Sequence, residues 1–584
     1  MGHIPQNIRA PSPLGLRRLT ATLNLGVLAA TMAHSLPSAA QSAPPAGTRL
    51  PSSGSLLQSN PVLNAPAEPQ GGDEVRVERE RAPTPESSMD QAAIHVTRIE
   101  VGNVPAHLKP QVDAVVAPYH DRDMTLTDVR NVAVLVTGVL LDNGETISYA
   151  YVPQQQIVDG VVRLSILRGH VEAIRLRRND SPIRDGVLQG YLDSGVSPAG
   201  DVQTAQEQLT RMSDLPGMGA IKPMLSPGQT PGGTILTVDA DAGTRVNGVF
   251  VADNAGSRVS GRNRLGAQVG VNSPLGLGDR FQAVFYGAPD FLQFNHDSDG
   301  GNTLIGRVSY DLPVGTRGAR AGVSVSRVNY TLGGLYNDLG EGNATVYSLY
   351  GSYPLVRMQS ASLDLNANLD YKRLTDSLFD EANQRWASVV SAQVSGSRQG
   401  MLAGLPNIFQ YQVGVTGGDL RNQDAWNGAQ TRGTYFKATQ YAKLSQVLHR
   451  GVYLDLSVQW QQTSRNLDGS EKMSLGGPSA VRAYSNDTVS ADSGHIASAQ
   501  LNAAVPFIDG LTAQVFYDRA RATVQKFVSR GANAVTMEGY GFGLNYVIAK
   551  RAEFSLMHAL RMGSHRLLGD QHRAMTWFNA VVRF

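Results

Sequence analysis

The run Asn295-His296-Asp297-Ser298-Asp299-Gly300 places oxygen-bearing side chains at the spacing of a calcium loop. Position twelve of that spacing is Gly306, where such a loop needs a bidentate glutamate, so the run reads as a polar surface loop. The chain has no cysteine, hence no disulfide, thiolate nucleophile or thiolate metal site. Its twelve histidines are scattered, and no His-Glu-x-x-His pair, Walker loop or nucleophile elbow occurs. The chain is therefore read as a non-enzyme that needs no cofactor and no metal. Its 51 basic and 49 acidic residues nearly cancel, which gives no sign of the basic face that nucleic-acid binding requires. What chemistry remains is non-covalent, and the elements that would organise it are legible.

The last strand, Trp577 to Phe584, puts Phe578, Ala580, Val582 and Phe584 on one face and ends on an aromatic residue. A period of two with one apolar face suits a strand with lipid on one side and a wet lumen on the other. From about Gly243 onward this alternation dominates. Leu363, Leu365, Ala367, Leu369 and Tyr371 interleave with Asp364, Asn366, Asn368 and Asp370, and Leu454, Leu456, Val458 and Trp460 with Asp455, Ser457, Gln459 and Gln461. About sixteen such segments of ten or more residues are counted, an even number as single-chain bacterial barrels require. Short links such as Pro313 to Gly318 and Tyr353 to Gln359 alternate with long polar ones such as Thr463 to Ser493, as turns and surface loops should. A barrel of this size has a polar lumen that something must fill.

Arg9, Arg17 and Arg18 precede an apolar stretch from Leu19 to Met32, and Ser38-Ala39-Ala40 supplies small residues for cleavage. Residues 1–40 are read as a secretory signal peptide; an uncleaved anchor is the alternative, against which the stretch falls short of the ~20 residues a span requires. Residues 41–92, rich in Pro, Ser, Gly and Ala, form a linker with a short helix, Ser52 to Gln58, as a candidate plug. Two units of β-α-α-β-β order follow, at 93–168 and 169–241. The first has a strand from Ile94 to Val101, helices from Leu108 to Ala117 and Thr127 to Leu141, and strands at Tyr149 to Val152 and Gly160 to Leu167. The second has a strand from His170 to Arg177, helices from Ile183 to Asp193 and Val202 to Met212, and strands near Met218 to Met224 and Thr234 to Asp239. Residues 242–584 form the barrel.

Specific motifs lie within this frame. Tyr151-Val152-Pro153-Gln154-Gln155 followed by Asp159-Gly160-Val161 resembles the end of the first polypeptide-transport-associated (POTRA) domain of two-partner secretion transporters, the TpsB type that exports filamentous haemagglutinins and haemolysins. Asp214-Leu215-Pro216-Gly217 with Leu225-Ser226-Pro227-Gly228 resembles their second POTRA domain, and Asp253-Asn254-Ala255-Gly256-Ser257-Arg258 the first hairpin of their barrel. Leu475 to Tyr484 and Asp492-Ser493-Gly494 resemble the long sixth surface loop, about 464–492, of the superfamily these transporters share with the outer-membrane assembly proteins. Val515 to Ala520 resembles the strand whose aspartate pairs with the arginine of that loop.

The resemblance implies a β-rich membrane protein, a sixteen-stranded antiparallel outer-membrane barrel preceded by two α/β POTRA domains in the periplasm. It implies a pore occupied by the loop and an N-terminal helix, and a loop tip of Val481, Arg482, Ala483 and Tyr484 whose Arg482 meets Asp518 on the inner wall. It assigns motif roles to Pro153, Gln155, Gly160, Pro216, Gly217, Pro227 and Gly228. The implied partners are outer-membrane lipid and a secreted exoprotein: an adhesin, a haemolysin, or a haem- or metal-scavenging protein. Insertion of other barrels, the sister function, is the alternative. Ala483 and Ala520 stand where glycine is usual, and a positive φ at Ala483 would cost about 1 kcal/mol or more.

Overall fold

The computed structural model describes residues 50–58 and 93–584, apart from 146, 198–199, 201, 294–297, 359, 380, 423–430, 529–532 and 564–572. The expected signal peptide and most of the linker lie outside the described residues. Of the linker, α1 (Ser53–Gln58) is helical, one residue shorter than expected.

The first unit opens with β1 (Ile94–Val96) and β2 (Arg98–Gly102), where the sequence suggested one continuous strand. The break is Thr97, whose N–H bonds the Gly160 carbonyl while β1 turns aside to pair with β3 (Arg122–Met124). After α2 (Lys109–Val116), helix α3 (Leu126–Asp142) begins at a full capping box: Thr125 accepts from the Asp128 N–H, and the Asp128 carboxylate accepts from the Thr125 N–H. Sheet β2-β5-β4, with β4 (Tyr149–Tyr151) and β5 (Val161–Leu167), packs on the buried stripe Val129, Val132, Val136 and Leu140. The second unit repeats the design. Sheet β6-β8-β7, of β6 (His170–Asn179), β7 (Met218–Pro227) and β8 (Gly233–Ala242), covers α4 (Asp185–Asp193) and α5 (Val202–Ser213) around Ile174, Leu188, Leu209 and Leu236. In both three-stranded sheets the first and last strands in chain order, β2 with β5 and β6 with β8, pair in parallel, and the connecting helices supply that crossover.

Sixteen described strands close a barrel. They are β9 (Val246–Asp253), β10 (Arg264–Asn272), β11 (Arg280–Ala288), β12 (Asn302–Val314), β13 (Ala319–Thr331), β14 (Gly340–Arg357), β15 (Ala361–Leu378), β16 (Glu381–Leu402), β17 (Leu405–Asn422), β18 (Gly433–His449) and β19 (Val452–Thr463), then β22 (Ser493–Ala504), β23 (Leu511–Thr523), β24 (Ala534–Ile548), β25 (Ala552–Met562) and β26 (Ala574–Arg583). All neighbours are antiparallel, and β26 returns to β9 from Asn579↔Asp253 to Arg583↔Val249, with Phe250 stacked on Phe584. No described helix is long and apolar enough to cross a membrane; the strands do it, as β23 illustrates with Val515 and Tyr517 outward and Phe516 and Asp518 inward. The expectation of ten or more residues per strand fails for β9, β10 and β11, which have eight, nine and nine. The expected link from Tyr353 is also shorter, because β14 continues to Arg357 through a register shift between Pro354 and Val356. A bulge absorbs the missing proline N–H.

The second unit abuts one rim of the barrel. The Arg184 N–H bonds the Gly276 carbonyl, Gln208 Nε2 donates to the Thr316 carbonyl at 2.6 Å, and Arg357 grips Asp214 through two bonds of 2.7 and 2.9 Å. These turns form the rim that meets the second unit.

Candidate functional site: a loop held inside the barrel

Between β19 and β22 the chain turns inward instead of arching over the rim, stiffened by the small pair β20 (Met473–Ser474) and β21 (Ser490–Ala491). Its tip carries Arg482, which meets Asp518 as expected. Nε donates to Asp518 Oδ2 at 2.8 Å, Nη2 to Oδ1 at 2.7 Å, and the Arg482 main-chain N–H to Oδ2 at 3.1 Å. The Asp518 side chain is 0% exposed and that of Arg482 is 7%. Planar fork-to-carboxylate pairing is what makes arginine, and not lysine, suited to the position.

Partners that the sequence did not reveal complete the cradle. Nη2 also donates to Ser498 Oγ at 3.0 Å and Nη1 to Gln500 Oε1 at 2.5 Å, while the guanidinium lies 3.4 Å over the Phe516 ring. The indole N–H of Trp577, on the last strand, donates to the Arg482 carbonyl at 2.6 Å. The tip is thus tied to β22, β23 and β26 at once. Val481 and Tyr484 are buried beside it, and Arg561 lies 6.0 Å from the Tyr484 ring centre.

The expected strain at Ala483 is not found, because Ala483 is not among the residues with positive φ. Its methyl is instead buried against Gly539 on β24, where any side chain on that glycine would collide with it. Ala520 is likewise fully buried among Ile496, Val535 and Met537.

Farther up the loop, Glu471 sits between Lys372 at 2.6 Å and Lys437 at 2.7 Å, Asp468 faces Arg385 at 3.3 Å, and Lys472 meets Asp492 at 2.8 Å. The charges Asp468, Glu471, Lys472 and Asp492 in a Ser- and Gly-rich loop are the signal that could have pointed to these anchors. α1 lies against the same segment. The Ser53 N–H donates to Asp376 Oδ1 at 2.7 Å, Tyr330 donates to the same oxygen at 2.8 Å, and Arg385 pairs with the other one. A side chain on Gly54 would lie 2.7 Å from the Ser470 nitrogen, so helix and loop touch backbone to backbone, while Leu56 and Leu57 pack on Tyr286, Ile305 and Val328.

The motif residues of the two small units shape turns and strand ends. Gln155 turns its amide onto β5, accepting from the Arg163 N–H and donating to the Arg163 carbonyl, both at 2.8 Å, and so replaces a strand partner where Pro153 has no N–H to give. Gly160 has φ 70°, a conformation the turn into β5 needs. The Pro216 carbonyl accepts from Ser273 Oγ at 2.5 Å, and Gly217, φ 89°, lets the chain pass Pro182. Pro227 ends β7, and the Gly228 N–H bonds the Gly233 carbonyl across the following turn. Beside it the Glu172 carboxylate accepts from Thr230 Oγ1 and from the N–H groups of Gln229 and Thr230, which hold its pKa below the usual glutamate range.

A closed sixteen-stranded barrel, a lumenal loop pinned by an arginine and two α/β domains at one rim define an outer-membrane barrel of the polypeptide-handling kind. Residues 232–545 match the haemolysin secretion/activation protein ShlB/FhaC/HecB family, and residues 94–169 match the ShlB-type POTRA domain. The chain belongs to that family, the two-partner secretion transporters, and is a protein of the outer membrane with its POTRA domains in the periplasm. It is 23% identical over 483 residues to the heme/hemopexin transporter protein HuxB of Haemophilus influenzae, covering 80% of this chain and 82% of that one. It is 24% identical over 441 residues to the outer membrane transporter CdiB of Escherichia coli, covering 70% of each. The solved structure of CdiB from Escherichia coli superposes with a TM-score of 0.61 at 18% identity over 86% of this chain and 93% of that one. BamA from Haemophilus ducreyi lacking POTRA domains 1-3 gives 0.53 at 12% identity, over 84% and 100%.

Proposed function

We propose that this transporter recognises an unfolded exoprotein in the periplasm through its POTRA domains and conducts it through the barrel to the cell surface. The observation that carries the reading is the filling of the lumen: loop and helix are held there by ion pairs and hydrogen bonds together with apolar clusters shared with the barrel wall. A passive pore needs no such stopper. The exposed edges of the POTRA sheets would receive an extended segment, since main-chain hydrogen bonds supply affinity without demanding one sequence. Direction would come from folding of the cargo outside, a population shift rather than a motor. The cargo is an adhesin, a haemolysin, or a haem- or metal-scavenging protein. The relatives are named for heme/hemopexin transport in one case and outer-membrane transport in the other. Deleting the protein and comparing culture supernatant with outer membrane tests the reading: loss of one or two large secreted proteins is expected. A general fall in barrel proteins would make it an assembly factor instead, the alternative that the shared fold with BamA keeps in view.

A further inference from the structure

One sector of the outer wall carries an ordered pattern of side chains apart from the lumenal loop. The register of β13 to β17 sets Arg327 opposite Thr345, Thr345 opposite Arg373, Arg373 opposite Trp386 and Trp386 opposite Arg421, all on outward-facing positions. The three arginines are exposed. They occupy every second strand, so neighbours along the row are about 10 Å apart at the usual ~4.8 Å between strands.

The rows on either side are ordered as well. Two outward rows nearer the periplasm are Val323, Leu349, Leu369 and Val390, between 50% and 59% exposed, in the hydrocarbon belt. Between them and the arginines come Tyr347 and Tyr371, at the level where aromatic residues line the membrane surface. The first row beyond the arginines, away from the periplasm, is Asn329, Asn343, Thr375 and Gln384.

Aliphatic, tyrosine, guanidinium, then amide and hydroxyl is the vertical order of groups that would meet a phosphorylated glycolipid, with its chains in the leaflet, phosphates at the surface and sugars above. Guanidinium forks suit phosphate oxygens, and amides suit sugar hydroxyls. The arginines are steadied by neighbours in the same sector. Arg327 Nε donates to Asn329 Oδ1 at 3.1 Å, Arg373 lies 5.4 Å from the Tyr371 ring centre, and Arg421 Nε donates to the Asp419 carboxylate, at Oδ2, at 3.0 Å. We propose that this sector binds a phosphorylated glycolipid of the outer leaflet, with Arg327, Arg373 and Arg421 on its phosphates.

The test uses the full-length protein in detergent and bisphosphorylated lipid A as the probe, with bound lipid counted by native mass spectrometry. The wild type should bind at least about tenfold more tightly than R327Q/R373Q/R421Q, and lipid A stripped of phosphate should lose a similar factor. Heat-modifiable migration in gels reports that each variant is folded. If the triple variant does not fold, R373Q alone should lose about threefold while R373K keeps most of the binding. Unchanged affinity in the folded glutamine variants would overturn the proposal. So would equal binding of phosphatidylglycerol, which has no sugar chain, or displacement of the lipid by inorganic phosphate alone, which would mark a general anion site.

Discussion

Arg482 illustrates how one side chain can hold a long loop. It gives every kind of contact its chemistry allows: two parallel bonds to Asp518, two more to Ser498 and Gln500, a ring face beneath, and its own carbonyl clamped by Trp577. Removing it leaves a fully buried carboxylate without a cation, a change of roughly 3–5 kcal/mol at such sites. Arg482→Ala should therefore leave the barrel assembled and heat-modifiable yet abolish export; undiminished secretion would remove Arg482 from the mechanism. Arg482→Lys should recover little, because a point charge cannot reproduce the fork. The alanine after it was legible as a departure but not as a fit, since the space it needs is made 56 residues away by Gly539, and one sequence carries no sign of that pairing. Gly539→Ala should destabilise the loop by about 1–3 kcal/mol, the usual cost of overpacking. In the Ala483→Gly background the same change should cost clearly less, with only the Leu560 carbonyl at 3.2 Å still crowding the new methyl, which a double-mutant cycle on thermal unfolding would measure. Additive losses would mean the two positions do not touch.

At the level of elements, hydrophobic period located most of the structure. The two helices of each small unit and the barrel strands read residue by residue, β15, β19 and β26, lie where the apolar spacing put them, because each buries one stripe or one face and nothing competes for it. The signal failed where geometry rather than burial decides: at Thr97, where one strand becomes two, and at Pro354, where a proline sits inside a strand by virtue of a bulge. α1 is too short to be stable in water by itself, so its order must come from the lumen around it. Asp376→Ala removes the acceptor of the Ser53 N–H and a partner of Arg385. It should free the helix and raise the ion conductance of the barrel in planar bilayers severalfold; a silent channel would show that the loop alone seals the lumen. The turn after β7 should respond to acid. The Glu172 carboxylate has a folded-state pKa below its ordinary value, so its contribution is complete above about pH 4.3 and is lost as pH falls through the lower folded-state value. The protection of the Gln229 and Thr230 amides, measured relative to their intrinsic exchange at each pH, should fall in that acidic window, and Glu172→Gln should remove this pH dependence of the protection.

Across the whole molecule, the sequence disclosed the barrel, its strand number, the tandem domains and the Arg482-Asp518 pair, the last through resemblance and not through spacing. It did not disclose how the parts meet. The Arg357-Asp214 clamp joins residues 143 apart, and the anchors Lys372-Glu471-Lys437 and Asp376-Ser53 join segments whose adjacency only the closed barrel creates. Charged residues on alternating strands look alike in sequence whether they line a lumen or face a headgroup. The attachment of α1 has one more consequence. It is joined to the first POTRA domain by residues 59–92, a stretch whose full reach, at about 3.3 Å per residue, is roughly 110 Å. That exceeds several times the ~30 Å hydrocarbon core. A helix that vacates the lumen therefore stays on a leash, at an effective concentration set by tether length rather than by the abundance of the protein. Resealing after each passage would then be a first-order event, equally fast in a crowded membrane and a sparse one, and the permeability barrier of the cell would depend on the linker as much as on the barrel.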